Sequence, residues 1–244
     1  MLDNNTLSGR TEATTAQPTR RRPSGDISAR VAGVGAITFA AAVILQNLIR
    51  GASAPGNGAT GTEVLTHYAD HRAIPFVLAS TYVLSGVGLA VFLGGAMRRL
   101  LTGSSRGWAL TGLVGATCVM ALFALVVGAE QALTLVAQQN RPDIGAIEAL
   151  WALHNSVFTV LDFSIAVALL GLSRAGVADG MTPRVFARLA PVGAGLLLVG
   201  TLAGPALAVG DAMALFGVTV LGFLVWLSFV ISTGIRLVRS TEAA

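Results

Sequence analysis

The chain has no lysine, a single cysteine and few charges of any kind. Charged residues make up 11% of its 244 residues, against about 25% in ordinary soluble domains. That shortfall excludes a solvated globular surface. The one cysteine, Cys118, cannot form an intrachain disulfide, so no disulfide framework is expected. Within an apolar run it reads as a small packing residue. Catalytic signatures are also missing. No P-loop, dinucleotide fingerprint or nucleophile elbow falls in a strand-to-helix setting. The Gly-x-Gly pairs Gly33/Gly35, Gly86/Gly88 and Gly193/Gly195 sit inside long apolar stretches. No catalytic residue is assigned and no cofactor is called for, so the sequence leans away from an enzyme.

What is present is apolar length. Hydrophobic residues make up 54% of the chain, and mean hydropathy is +0.73. Six runs hold 19 to 24 residues each: 31–49, 74–97, 108–129, 149–172, 189–210 and 212–235. About 20 helical residues, rising about 1.5 Å each, cross a hydrocarbon core about 30 Å thick. The runs do not alternate as barrel strands do, which leaves helix as the spanning form. The expected fold is an all-α integral membrane protein, a bundle of six transmembrane helices. Residues 28–239 form that domain. Residues 1–27, polar and without an apolar face, read as a disordered tail, and 240–244 as a short second tail.

Arginine placement gives the orientation. Arg10, Arg20, Arg21, Arg22, Arg30, Arg98, Arg99, Arg106, Arg174, Arg184, Arg188, Arg236 and Arg239 fall in the tails and alternate loops that share one side. Only Arg50, Arg72 and Arg141 fall on the other. The positive-inside rule then places both termini in the cytoplasm. Arg20, Arg21 and Arg22 also stand where anionic lipid head groups would meet them. With the basic residues explained by topology, nucleic-acid binding is not expected despite a pI near 10.5. The lipid bilayer is the expected partner; the sequence names no protein partner or oligomer. Ala52-Ser53-Ala54 resembles a signal-peptide cleavage site, but the preceding run of 19 residues exceeds the usual 7–15, roughly. An uncleaved span is the expectation.

The connection from Arg50 to Ala73 begins with a Gly/Ala/Ser/Asn stretch and continues with helical period. Thr60 and Glu63 form a capping-box pattern. Val64, Leu65 and Tyr68 share one face, and Glu63, His67, Asp70 and His71 the other. A short amphipathic helix on the membrane surface is expected. His67 and His71, with Glu63 and Asp70, are weak candidates for holding a metal. The spacing lacks the metalloprotease pattern, so a solvated polar face is the better reading and no metal is assigned.

Small residues recur every four positions: Ala32, Ala36 and Ala40; Gly86, Ala90 and Gly94; Gly200 and Gly204. Such stripes let helix backbones approach. Pro205 after Gly204 predicts a bend. Gly210-Asp211 is so short a connection that the last two spans must be antiparallel neighbours.

Asp162 is the most costly residue to place. It lies within about 3 Å of the centre of the fourth run, where an acid costs about 2.5–3.5 kcal/mol to insert. His154, Asn155 and Thr159 make a polar line leading to it. Glu130 and Gln131 end the third run at a similar depth, so a Glu130–His154 pair is geometrically open. Gln46 and Asn47 of the first run could join it. Together these residues suggest an outward-facing polar cavity above a protonatable Asp162, or a structural hydrogen-bond network.

Ala29-Arg30-Val31-Ala32-Gly33 resembles the start of the first span in a bacterial family of six-span membrane proteins that carries only a domain-of-unknown-function label. Leu150-Trp151-Ala152-Leu153-His154-Asn155-Ser156-Val157-Phe158 is similar to stretches in actinobacterial proteins of that kind. The resemblance implies a six-helix protein of the bacterial plasma membrane and supplies no catalytic residues. Three functions stay open: a small transporter or channel-like protein using Asp162, a non-catalytic membrane subunit or sensor, and, least supported, a lipid-modifying enzyme.

Overall fold

The computed structural model of the chain describes residues 25–210 and 213–239. Arg20, Arg21 and Arg22, both tails and Asp211 lie outside the described residues. Among the described residues eight helices follow one another: α1 (Gly25–Ser53), α2 (Gly61–Asp70), α3 (Ala73–Leu100), α4 (Arg106–Ala137), α5 (Ile144–Ala178), α6 (Phe186–Leu202), α7 (Gly204–Ala208) and α8 (Met213–Arg239). No strand occurs among the described residues. Helices α1, α3, α4, α5 and α8 are long and apolar enough to cross a membrane, and α6 is a shorter apolar helix.

Contacts run α1 to α3, α3 to α4, α4 to α5, α5 to α6, α6 to α8 and α8 back to α1. The six long elements therefore close into a ring. Its core holds Phe39, Phe92, Leu169, Leu197, Trp226 and Phe229, all nearly inaccessible. Outward stand Leu48, Phe76, Val83, Val114, Leu135 and Leu202, each more than 60% exposed. A coat this apolar is a liability in water and is matched by lipid. Cys118 belongs to it: the residue is exposed and does not fill the core.

The fifth apolar run is not one helix. Helix α6 stops at Leu202, and Ala203 serves as both its end and the start of α7. Pro205 has no N–H to give the Thr201 carbonyl, which breaks the ladder there. Contacts of α6 with α8 confirm that the last two apolar segments lie side by side.

Helices α4 and α5 run well past their apolar stretches. Asp143 starts α5 early, its Oδ1 accepting from the Gly145 and Ala146 N–H groups at 2.9 and 3.3 Å. The extra turns are covered by α2. The Thr60–Glu63 capping box forms as the sequence pattern indicates. The apolar face of α2 does not lie on lipid, however. Val64 and Tyr68 are buried against Leu133, Ala137, Ile147 and Trp151 of α4 and α5. An apolar surface already offered by two helix ends is nearer than the bilayer, so α2 becomes a lid on the bundle. Gly61 makes room for it: a Cβ there would come within 2.6 Å of Glu148 Cγ.

Close backbone seams hold the ring, and not all of them follow the stripes in the sequence. Ala32, Ala36 and Ala40 are buried as a stripe should be. Gly86 and Gly94 are not at a helix seam: a Cβ on Gly94 would meet nothing within 4 Å, and on Gly86 only the flexible end of Met120. The tight crossings are Gly35 with Gly88, where a Cβ on Gly35 would sit 2.7 Å from the Gly88 carbonyl, and Gly112 with Gly171. Replacing Gly35 or Gly171 by Val should force helices apart and lower thermal stability in detergent by about 1–3 kcal/mol or more. Gly94→Val should change it by less than about 0.5 kcal/mol. Thermal unfolding of the three variants compares a seam with an open face directly.

Candidate functional site

One end of the ring gathers the C-terminal ends of α1 and α4, the start of α5, α2 and α7. Beneath α2 lies a charged group built by three helices, α1, α4 and α5. Arg50, in the last turn of α1, donates from Nε to Glu130 Oε1 at 2.7 Å and from Nη2 to Glu130 Oε2 at 3.0 Å. Both side chains are buried, at 9% and 3% exposure. This bidentate geometry suits a guanidinium and a carboxylate removed from water. The guanidinium also stands over the rings of Phe123 and Phe158, 5.2 and 5.7 Å from their centroids.

Arg50 is therefore not a loop charge, as its position after an apolar run suggests. Glu130 needs a counter-ion at this depth, and α1 continues to Ser53 to supply it. Removal of α1 by cleavage near Ser53 would strip Glu130 of that partner.

His154 of α5 completes the group. Its Nε2 lies 3.4 Å from Glu130 Oε1, long for a hydrogen bond. Its ring stacks on Trp151, centroids 4.8 Å apart. Asn155 gives its amide Nδ2 to the carbonyls of Asn57 and Ala208 at 3.2 and 3.3 Å. Its Oδ1 faces His154 Nδ1 at 3.0 Å. An amide oxygen only accepts, so Nδ1 carries a hydrogen. The Nε2 then meets the carboxylate either as a lone pair, which is repelled, or as the second N–H of an imidazolium, which is attracted.

Asn155 and Asn57 also close this end of the molecule. Asn57 Nδ2 donates to the Leu207 carbonyl at 2.9 Å. Two carbonyls at the end of α7, those of Leu207 and Ala208, thus receive side-chain donors from the α1–α2 loop and from α5.

Asp162 is elsewhere. It is near the middle of α5 and half-buried, on the side facing α6 and α8. A Cβ on Gly200 would lie 3.0 Å from Asp162 Oδ2 and against Thr219 Oγ1. One on Gly204 would lie 2.9 Å from Thr159 Oγ1. The two small residues of α6 and α7 thus make space for Thr159 and Asp162. Among the described residues Asp162 has no ion-pair or hydrogen-bond partner.

The polar line of the sequence is thereby divided. His154, Glu130 and Arg50 meet between α1, α4 and α5, whereas Thr159 and Asp162 face the broken segment α6–α7. Asn155 touches both sides. Gln46 is fully buried and donates to the Leu78 carbonyl of α3 at 3.0 Å. Asn47 and Gln131 do not join a cavity: both are exposed, and Asn47 donates to the Val43 carbonyl of its own helix at 2.9 Å. Each stands one position beyond a buried neighbour, and one step along a helix is a turn of about 100°. Arg50 is the participant that hydropathy hides. Its i, i+4 spacing from Gln46 places the two on one face and is the signal that marks it.

The metal candidates of α2 are used otherwise. Glu63 accepts from the Thr60 N–H and hydroxyl at 2.8 and 2.9 Å. His71 Nδ1 faces the His67 carbonyl at 3.0 Å, and the two rings stack 4.7 Å apart. Among the described residues no three His, Cys, Asp or Glu side chains come together as metal ligands would. Comparison with protein-family models, with curated proteins and with solved structures finds no match.

Protonation reaches α2 from both its ends. The Thr60 N–H and hydroxyl hold Glu63 below the usual 4.5. Burial, then the charge of His71, holds His67 below the usual 6.5. Burial raises Tyr68, with Glu130 adding to the rise and Arg50 opposing it. For Glu63 and His67 the folded form binds protons less readily than the unfolded form. Their contribution to α2 stability is present above the usual value and is lost as pH falls through the lowered one. Amide hydrogen exchange of residues 61–70, corrected for its intrinsic pH dependence, should therefore rise from about pH 6.5 downward, ahead of exchange in α4.

Proposed function

We propose that the protein is a small proton-linked membrane transporter, with Asp162 as its proton-binding residue and the broken segment α6–α7 as the part that moves. The carrying observation is that Asp162, in mid-helix and half-buried, has no partner among the described residues. An intramembrane carboxyl without a counter-ion takes a proton, water or a substrate. It also faces a discontinuous helix, the type of element around which transporters build their central sites. His154 lies eight positions away on α5, about 12 Å along the axis. It lies nearer the end closed by α2, and Asn155 and Thr159 stand between the two.

In this reading the chain crosses the bacterial plasma membrane six times, as in the six-span proteins it resembles. Segments α6 and α7 together make the fifth crossing, about 34 Å of helix. Both termini are cytoplasmic by the arginine distribution, which the pairing of Arg50 strengthens by leaving only Arg72 and Arg141 opposite. The closed contacts of Asn57 and Asn155 on α7 correspond to an occluded form.

A second reading is a non-catalytic membrane subunit. The bidentate Arg50–Glu130 pair favours it, because a fully paired acid is built for holding helices together. Asp162→Asn separates the two. In vesicles loaded with a pH-sensitive dye, the wild-type protein should carry protons down an imposed gradient. The variant should fold equally well and lose at least about tenfold of that flux. Equal flux from Asp162→Asn, or no flux from the wild type, rules out Asp162 as the proton carrier and leaves the subunit reading.

A further inference from the structure

At the opposite end of the ring, a wide-mouthed surface groove of about 550 Å³ is lined by Pro183, Ser232, Ile235, Arg236 and Arg239. That volume lies within the range of roughly 300–1,000 Å³ of small-molecule sites. Four of its residues come from one face of α8, since positions 232, 235, 236 and 239 recur at three- and four-residue spacing. Its chemistry is graded along that face. Ser232 offers a hydroxyl, Ile235 an apolar surface, and Arg236 and Arg239 two guanidinium groups in the last turn. Both arginines are exposed, and neither has an acidic partner among the described residues.

The opposite wall is held in place. Thr182 and Thr233, buried at 1% and 0% exposure, share a hydrogen bond at 3.1 Å. The Met181 and Thr182 N–H groups both donate to the Gly176 carbonyl at 2.8 and 2.9 Å. Gly180 turns the chain with φ +71°, a conformation that favours glycine. Gly176 makes room for Thr182, whose hydroxyl a Cβ there would overlap. Pro183 is thereby fixed beside α8. By contrast, the arginines at Arg184 and Arg188 are near this end but do not line the groove.

We propose that this groove holds the head group of an anionic phospholipid, its phosphate between Arg236 and Arg239 and an acyl chain running past Ile235 along α8. A guanidinium pair matches phosphate oxygens in number and geometry. A hydroxyl and an apolar side chain on the same face suit the glycerol and the chain that follow. The site is independent of Asp162 and of the end closed by α2.

Native mass spectrometry of the full-length protein, with phosphatidylglycerol or phosphatidylcholine added, tests the proposal. The wild-type protein should retain phosphatidylglycerol in preference to phosphatidylcholine. Arg236→Gln/Arg239→Gln should lower that retention about tenfold. Arg184→Gln/Arg188→Gln, which removes the same charge from the same end, should lower it less than about twofold. Inorganic phosphate in millimolar excess should not displace the lipid. Equal losses in the two double variants would mean a diffuse surface charge and overturn the site. Displacement by inorganic phosphate would assign the groove to a free anion instead. If the first double variant does not fold, Arg236→Gln and Arg239→Gln singly, each against Arg184→Gln, carry the same comparison.

Discussion

A carboxylate buried at the end of a membrane bundle has to be neutralised, and Glu130 is neutralised by Arg50. Much of the surrounding end follows from that need. Helix α1 extends beyond its apolar run to bring the guanidinium in. The rings of Phe123 and Phe158 lie beneath it. Helix α5 turns His154 toward the remaining side of the carboxylate. Helix α2 then covers the group with Val64 and Tyr68. The pair joins α1 to α4, two helices that are not neighbours in the ring of broad seams. It therefore ties across the bundle where the glycine crossings tie along it. Breaking one partner of such a pair strands a charge, whereas the intact pair contributes little net stability over an apolar replacement. Its use here is to fix which helices meet at this end.

Other polar side chains are arranged around that pair. His154 is read by two structures at once, the carboxylate through Nε2 and the α7 end through Asn155. Asp162 stands apart against the small residues Gly200 and Gly204, where α6 gives way to α7. One helix, α5, thus carries two polar positions on two neighbouring faces, one beside a rigid tie and one beside a break.

Much of this was legible in the sequence. Apolar run length gave the helical membrane class, and the Thr60–Glu63 pattern gave the cap of α2 to the residue. Pro205 marked the break. The Glu130–His154 contact followed from equal depth on consecutive spans. Other features were hidden for identifiable reasons. Hydropathy assigns an arginine after an apolar run to a loop and carries no information about a partner 80 positions away. Stripes of small residues show where a close approach is permitted, not which face is used: Gly94 is open and Gly35 is crossed. A helical line of polar residues does not say that all its members share one neighbour. The one-step offset from Gln46 to Asn47, and from Glu130 to Gln131, decided which side chains lie inside.

The most direct measurement is a double-mutant cycle on the tie itself, read by thermal unfolding in lipid with Arg50→Met, Glu130→Gln and the two combined. If the pair organises this end, each single change strands a polar or charged partner, and Arg50→Met costs about 3–5 kcal/mol. The combined variant should then be more stable than Arg50→Met alone. Additive losses, or an Arg50→Met protein as stable as the wild type, would contradict the account.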